Sequence, residues 1–161
     1  MSFIIRNMSK EDIKEVQDVA KKSWNSTYQG IIPKDTQEKF LKAAYNDEMM
    51  EKRLHNSIVF VAEVENRVVG FANFMPVNNE GQSELSAIYL YSDYQGNGIG
   101  TALLKKGIRE LEGVKEIFID VEKENDIGRT FYEAKGFKKI KEYNDNFDGH
   151  ILKNVRMCLV V

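Results

Sequence analysis

The sequence predicts an α/β fold with a mixed, mostly antiparallel central sheet and helices on both of its faces. Short segments rich in Val, Ile and Phe show the apolar patterning of strands. Between them lie longer segments in which apolar residues recur with helical spacing. A length of 161 residues is enough for one compact core without disulfides or structural metals. We therefore expect a single domain over 1–161.

The beginning of the chain predicts a strand followed by helices. Residues 2–6, SFIIR, alternate as in a strand. Ser9, with Asp12 three residues later, is typical of a capping box, and it predicts a helix over 11–22. Two further short helices are expected within 23–56, where glycine and proline interrupt the helical spacing.

The middle of the chain predicts a three-stranded antiparallel meander. Apolar segments over 58–64 and 67–77 flank the dipeptide Glu65-Asn66, which is typical of a hairpin turn. A polar loop then leads into a third strand over 84–91.

The end of the chain alternates helices with strands. Gly136 is placed as the C-terminal cap of the second of these helices. The predicted elements are a helix over 98–112, a strand over 116–121, a helix over 126–135, and strands near 137–143 and 151–160.

Composition narrows the range of partners. The net charge of -2 with 30% charged residues lacks the basic excess of nucleic-acid or membrane-surface binders, so we expect neither partner. No apolar run approaches a membrane span, and no targeting segment is evident. The only cysteine, Cys158, fits a small apolar packing role in a reducing cytoplasm. His55 and His150 lack the spacing of a metal site, so no metal is expected.

A glycine-rich turn joins the third meander strand to the next helix. Gly96, Gly98 and Gly100 lie in the segment YSDYQGNGIGTALLKK, residues 91–106. At such a strand-to-helix turn, free N–H groups and the positive end of the helix dipole favour a phosphate, and glycine permits its close approach. A turn that merely connects the two elements is the alternative.

Three phosphate-binding motifs can be compared with this turn. A Walker loop requires Lys and then Ser or Thr after its last glycine, but Thr101 and Ala102 follow here. A dinucleotide-binding fingerprint that starts at Gly96 requires glycine where Thr101 stands, although Asp120 lies at a suitable distance for a ribose contact. The pattern Q-x-x-G-x-G fits in full over Gln95–Gly100.

That pattern resembles the pyrophosphate loop of the GNAT superfamily of acyl-CoA-dependent N-acetyltransferases. Residues 84–104 resemble the central strand, loop and helix of the family. Residues 125–137, NDIGRTFYEAKGF, resemble its second signature, N-x-x-A-x-x-F-Y-E-x-x-G-F, with Gly128 in place of the usual alanine. The order of elements also agrees, so the resemblance covers essentially the whole chain.

The resemblance implies direct transfer of an acetyl group from acetyl-CoA to a primary amine. The loop would bind the coenzyme A diphosphate, and the backbone at Ile88 would hold the oxyanion while that at Leu90 binds pantetheine, with Asn125 nearby. The loop residues concerned are Gln95, Gly96, Asn97, Gly98, Ile99, Gly100 and Thr101.

Two side chains are assigned to proton transfer by the same resemblance. Tyr132 corresponds to the tyrosine that protonates the leaving thiolate, and the alternative is that it only packs in the core. Glu84 corresponds to the general base of several members, and the alternative is a solvated glutamate, with another carboxylate as base.

The acceptor is the least defined part of the assignment. Trp24 and Tyr28 are predicted to wall the acceptor pocket, with core packing as the alternative. The N-terminal segment resembles small-molecule acetyltransferases, including those for polyamines, so a polyamine-like or amino-acid-like amine is expected. A peptide or protein amine, and a non-catalytic acyl-CoA sensor, remain the alternatives. The oligomeric state stays open, a homodimer included.

Overall fold

The chain forms one continuous seven-stranded sheet in the computed structural model, which describes residues 1–161. The strands are β1 (Ile4–Asn7), β2 (Ile58–Val64), β3 (Arg67–Phe74), β4 (Gln82–Leu90), β5 (Glu116–Glu122), β6 (Lys138–Phe147) and β7 (His150–Val160). The helices are α1 (Ile13–Tyr28), α2 (Lys34–Tyr45), α3 (Asp47–Asn56), α4 (Ile99–Glu110) and α5 (Asp126–Ala134). Short 3-10 turns cover Lys10–Asp12 and Ser92–Tyr94.

The strand order confirms the predicted mixed, mostly antiparallel sheet. The order across the sheet is β1-β2-β3-β4-β5-β7-β6. Every neighbouring pair is antiparallel except β4 and β5, which run parallel to each other. The predicted meander therefore corresponds to β2, β3 and β4, and the parallel pair joins it to the C-terminal strands.

Helices cover both faces of the sheet, as predicted. Helices α1, α2 and α3 contribute Val16, Val19, Tyr45 and Met50 to a core with Phe71 and its neighbours in β2 and β3. Helix α4 covers the opposite face. The core there contains Phe60, Phe74, Ile99, Leu103, Leu104, Ile117, Ile119, Val121 and Phe137. None of the helices combines the length and apolar character that crossing a bilayer requires.

The largest differences from the predicted element boundaries are in α1 and β6. Helix α1 begins two residues later than expected and continues to Tyr28, because the buried stripe of Val16, Val19 and Ala20 extends to Trp24. Asp12 ends the preceding 3-10 turn, where its carboxylate accepts the Ser9 N–H at 2.8 Å.

Strand β6 also extends further than predicted. It continues to Phe147 because it pairs with β7 along its length, and Asp148 and Gly149, both at positive φ, close the hairpin.

Gly107 of α4 provides a test of packing between this helix and the sheet. A Cβ at Gly107 would lie 2.2 Å from the ring of Phe74. Alanine favours a helix over glycine by about 1 kcal/mol, but overpacking a core costs about 1–3 kcal/mol. We expect Gly107→Ala to lower the free energy of unfolding by about 1 kcal/mol, measured by urea denaturation. Lys105→Ala, an exposed change in the same helix, should stay within about 0.5 kcal/mol of wild type. A Gly107→Ala protein as stable as wild type would contradict this packing.

Candidate active site

The central feature of the site is the divergence of β4 from β5. The two strands pair only from Gln82 to Glu84 on β4 and from Glu116 to Phe118 on β5. Beyond these residues β4 continues to Leu90 without a neighbour on its β5 side. A cleft of about 270 Å³ lies in the resulting gap, lined by residues of β4, β5, α1, α5 and the glycine turn.

A bulge in β4 lies at the start of this gap. Asn73 of β3 pairs with Ala87, whereas Phe74 pairs with Leu85, so Ser86 is the extra residue. The Ser86 hydroxyl donates to the Asn73 carbonyl at 3.2 Å. The bulge moves Leu85 and Ala87 onto opposite faces of the sheet, and Ser86 onto the wall of the cleft.

The glycine turn forms one end of the cleft. Gly96 and Gly98 have φ values of +79° and +83°, and a Cβ on either would meet no atom within 4 Å. None of the N–H groups of residues 96–101 donates a hydrogen bond within the protein. Since α4 begins at Ile99, these groups lie at the positive end of its dipole. The turn is therefore suited to bind a phosphate, which supports the prediction made for it.

Not every residue of the turn contributes a side chain to the cleft. Gln95 and Thr101 line it together with the three glycines. The Asn97 amide instead folds back onto the carbonyls of Tyr94 and Gln95, each at 3.3 Å. Ile99 is fully buried in the core, so only the main chain of Asn97 and Ile99 is available to a ligand.

Ile88 and Leu90 of β4, whose main chain was predicted to bind the acyl donor, both line the cleft. On their other side they pair with Ala72 and Gly70 of β3. A Cβ at Gly70 would lie 2.2 Å from Leu90 Cδ2, so glycine at this position makes room for the Leu90 side chain.

Asn125 lies at the start of α5 and lines the opposite side of the cleft. Its Oδ1 accepts the Gly128 N–H at 2.9 Å, which caps the helix. A Cβ at Gly128 would lie 2.7 Å from Asn125 Nδ2. Glycine at this position thus leaves room for the Asn125 amide on the cleft side of the helix.

Tyr132 projects from α5 into the cleft. Its ring packs edge-on against Phe131 and Phe137, with centroids 5.5 and 5.3 Å away. Its hydroxyl makes no hydrogen bond to the protein, and burial among apolar groups raises its pKa. The phenol is therefore neutral at physiological pH and retains a proton to donate.

Glu84 forms an ion pair with Arg156 of β7 at the point where β4 and β5 separate. The Arg156 guanidinium donates to both carboxylate oxygens of Glu84, at 2.9 and 3.1 Å. It also donates to Asp120 Oδ2 at 3.2 Å. Asp120 lines the cleft, whereas Glu84 lies outside the cleft wall.

Asp120 lines the cleft and Arg156 binds it from β7, and the sequence had indicated no proton-transfer or acceptor role for either residue. The alternation of β5 gives a partial signal, since Ile119 and Val121 enter the core and Asp120 must face the other way. No local pattern indicates Arg156, because it reaches Glu84 across 72 residues of sequence.

The two predicted acceptor residues occupy different positions. Tyr28 lines the cleft and is almost fully buried, which raises the pKa of its hydroxyl. Trp24 is 6% exposed and lies behind Tyr28, 4.6 Å from it between ring centroids. It stacks on Phe40 at 4.2 Å and donates to the Tyr89 hydroxyl at 2.9 Å, so the structure does not bring it to the cleft surface.

Comparison with known proteins agrees with this geometry. The model of the acetyltransferase (GNAT) family matches residues 17–137, which include the glycine turn and α5. The chain belongs to the GNAT acetyltransferase family. It is an acetyl-CoA-dependent N-acetyltransferase, and the glycine turn with its free N–H groups fits the diphosphate of that acyl donor.

Individual members of the GNAT family are similar to this chain over most of its length. The uncharacterized N-acetyltransferase YuaI of Bacillus subtilis is 36% identical over 157 residues, which cover 94% of this chain and 89% of YuaI. A spermidine N(1)-acetyltransferase of Thermoplasma acidophilum is 31% identical over 146 residues, 86% of this chain and 89% of that protein. The crystal structure of the PaiA N-acetyltransferase from the same organism, in complex with coenzyme A, matches with a TM-score of 0.86 and 25% identity, covering 100% of both chains.

Proposed function

We propose that this protein transfers the acetyl group of acetyl-CoA to a primary amine of a small, polyamine-like molecule. The observation that carries the proposal is the cleft between β4 and β5, which has phosphate-binding N–H groups at one end and carboxylates beside it. The similarity to a spermidine N(1)-acetyltransferase supports the choice of acceptor class. The protein is also proposed to act as a single domain in the cytoplasm, where its one thiol, half-buried on β7, stays reduced.

The acyl donor is proposed to lie along the unpaired edge of β4. The N–H groups of 96–101 would bind its diphosphate, and the main chain of Ile88 and Leu90 would take the pantetheine arm as an added strand takes hydrogen bonds. A main-chain N–H at Ile88 would also stabilise the oxyanion of the tetrahedral intermediate. Asn125, held by its cap to Gly128, is placed to contact the same arm.

The acceptor is proposed to approach from the α1 face of the sheet. Helix α4 and the glycine turn lie on the opposite face of the sheet. The α1 face of the cleft is lined by Ser23, Thr27 and Tyr28. Glu84 and Asp120 face the same way, since their neighbours Leu85, Ile119 and Val121 enter the α4-side core. Two carboxylates and one guanidinium leave a net charge of about -1 at this mouth, which favours a cationic amine.

A carboxylate must remove a proton from the incoming ammonium. An unperturbed primary amine with a pKa near 10.4 is protonated at pH 7, and deprotonating it costs about 4–5 kcal/mol. Glu84 was predicted for this role, but Arg156 occupies both of its oxygens, and accepting a proton would compete with that ion pair. Asp120 lines the cleft and binds Arg156 through one oxygen only, so it is the second candidate for the base.

Tyr132 is proposed to protonate the departing thiolate of coenzyme A. Its phenol is neutral at physiological pH, burial raises its pKa further, and its hydroxyl is not engaged by another residue. Direct transfer between two bound reactants gains about 7–11 kcal/mol from proximity, so a covalent enzyme intermediate is not needed.

A panel of acceptors tests the proposed function. We expect spermidine and short diamines to release free thiol from acetyl-CoA with a kcat/KM at least about ten-fold above that of neutral amino acids and lysine-free peptides, since only the former carry a second ammonium. Thiol release is followed with a chromogenic disulfide. Preference for peptides would favour the peptide-amine alternative. Tight binding of acetyl-CoA with no active amine would favour the sensor alternative.

A matched pair of glycine variants tests the phosphate-binding turn. Gly98 and Gly113 both have positive φ, +83° and +76°, and both have open space where a Cβ would be. Gly98→Ala and Gly113→Ala therefore carry similar backbone strain, about 1 kcal/mol or more. Only Gly98→Ala should weaken acetyl-CoA binding, by about ten-fold or more in calorimetric titration, because its methyl group enters the turn. Equal affinities for the two variants would remove the turn from the binding site.

A single hydroxyl deletion tests Tyr132. Tyr132→Phe should lower kcat by about 100-fold, within the usual range for a general acid, and leave the Kd of acetyl-CoA within about two-fold of wild type. Tyr45→Phe, which deletes a hydroxyl buried outside the cleft, is the matched control and should keep its kcat. An unchanged kcat for Tyr132→Phe would leave the residue with a packing role alone.

A further inference from the structure

Arg156 connects the two strands that separate to form the cleft. It directly opposes Asp120 in the β5–β7 pairing. Its guanidinium also reaches across β5 to Glu84, the last residue of β4 that pairs with β5. The Cζ atom of Arg156 lies 5.0 Å from the centroid of the Phe118 ring, so the guanidinium packs on an aromatic face. Arg156 therefore bridges β4 and β5 at Glu84, the last residue of β4 that pairs with β5.

Arg156 divides its hydrogen bonds unequally between the two carboxylates. Glu84 is bound through both oxygens, by Nη2 at 2.9 Å and Nη1 at 3.1 Å. Asp120 is bound through Oδ2 alone, at 3.2 Å from Nη1. Oδ1 of Asp120 accepts no hydrogen bond from Arg156, and it belongs to a residue that lines the cleft beside the Tyr143 phenol.

The surroundings give Arg156 no other charged partner. Tyr143 of β6 lies beside Asp120, whose charge adds to burial in raising the pKa of that phenol. Cys158 of β7 points toward Glu116, with Sγ 3.6 Å from Oε2, rather than toward the guanidinium. The side chains of Arg156, Glu84 and Asp120 are only 25%, 34% and 36% exposed, so solvent screens the cluster incompletely.

We infer that Arg156 is a positioning residue of the acceptor side: it immobilises Glu84 and orients Asp120 so that one Asp120 oxygen faces the incoming ammonium. This inference rests on the proposed function. Two carboxylates without the guanidinium would repel each other and rotate apart. The planar fork of arginine matches a carboxylate in two parallel hydrogen bonds, which a lysine cannot reproduce.

Kinetics of Arg156 variants test this role. We expect Arg156→Gln to lower kcat for spermidine by about 10- to 100-fold, since the carboxylate is no longer held in place. The KM for spermidine should stay level or fall, because the mouth becomes more negative, and the KM for acetyl-CoA should not change. Lys153→Gln, a loss of one positive charge in the same strand from a residue without an ion pair, is the control and should match wild type.

Chemical rescue separates positioning from a merely structural contribution. Arg156→Ala should recover kcat several-fold when methylguanidinium is added, and not when sodium chloride is added to the same ionic strength. A purely structural loss would respond equally to both salts. Absence of rescue, or a kcat for Arg156→Gln equal to wild type, would overturn the inference. Arg156→Lys retains the charge without the fork, and it should have a kcat between those of wild type and Arg156→Gln.

A measurement without turnover keeps this inference separate from the proposed function. The carboxyl carbon resonances of Glu84 and Asp120, assigned through Glu84→Gln and Asp120→Asn, should both shift at constant pH in Arg156→Gln and neither in Lys153→Gln. Resonances that stay in place would contradict the bridging role even if spermidine is acetylated. If they shift and no amine is acetylated, the bridge stands and the assigned acceptor class fails.

Discussion

The separation of β4 and β5 is the constraint on which the rest of the structure depends. A parallel pair inside a sheet normally continues to the end of both strands, because each unpaired main-chain group in the interior costs free energy. Here the pairing stops at Glu84 and Phe118. Beyond these residues β4 still pairs with β3, and β5 with β7, so each strand is held from its outer side only. The gap is thus a built feature of the sheet, and it leaves an edge able to receive an extended ligand.

The two faces of this gap have opposite electrostatic character. On the α4 face, the free N–H groups of the glycine turn and the start of the helix favour an anion. On the α1 face, the two negative charges of Glu84 and Asp120 exceed the single positive charge of Arg156, and the excess favours a cation. Under the proposed function, a polyanionic donor and a cationic acceptor would be drawn to opposite sides of one opening. Their reacting ends would then meet where the strands diverge, and neither charge would have to cross the site of the other.

The sequence was informative wherever the structural cause is local. The strand-to-helix turn at 96–101 needs glycines at positive φ, and α5 needs a cap at Asn125, so both are visible in a short segment. The family resemblance rested on these two segments, and it is confirmed together with the fold class, which apolar patterning along the whole chain had predicted. Contacts between distant strands leave no such pattern. The engagement of Glu84 by Arg156, and the place of Trp24 behind Tyr28, depend on strand register and helix packing that residue spacing alone does not specify.

The surroundings of the proposed acid and base give proton transfer a direction. The carboxylates lie in a partly solvated cluster, where Glu84 and Asp120 are about one third exposed and a proton taken from an amine can pass on to water. Tyr132 lies among aromatic rings on α5, where burial raises its pKa and disfavours the phenolate. A thiolate released in the same apolar environment is desolvated as well, so its basicity rises together with that of the phenolate. Differential desolvation across one cleft would therefore separate the proposed base from the proposed acid.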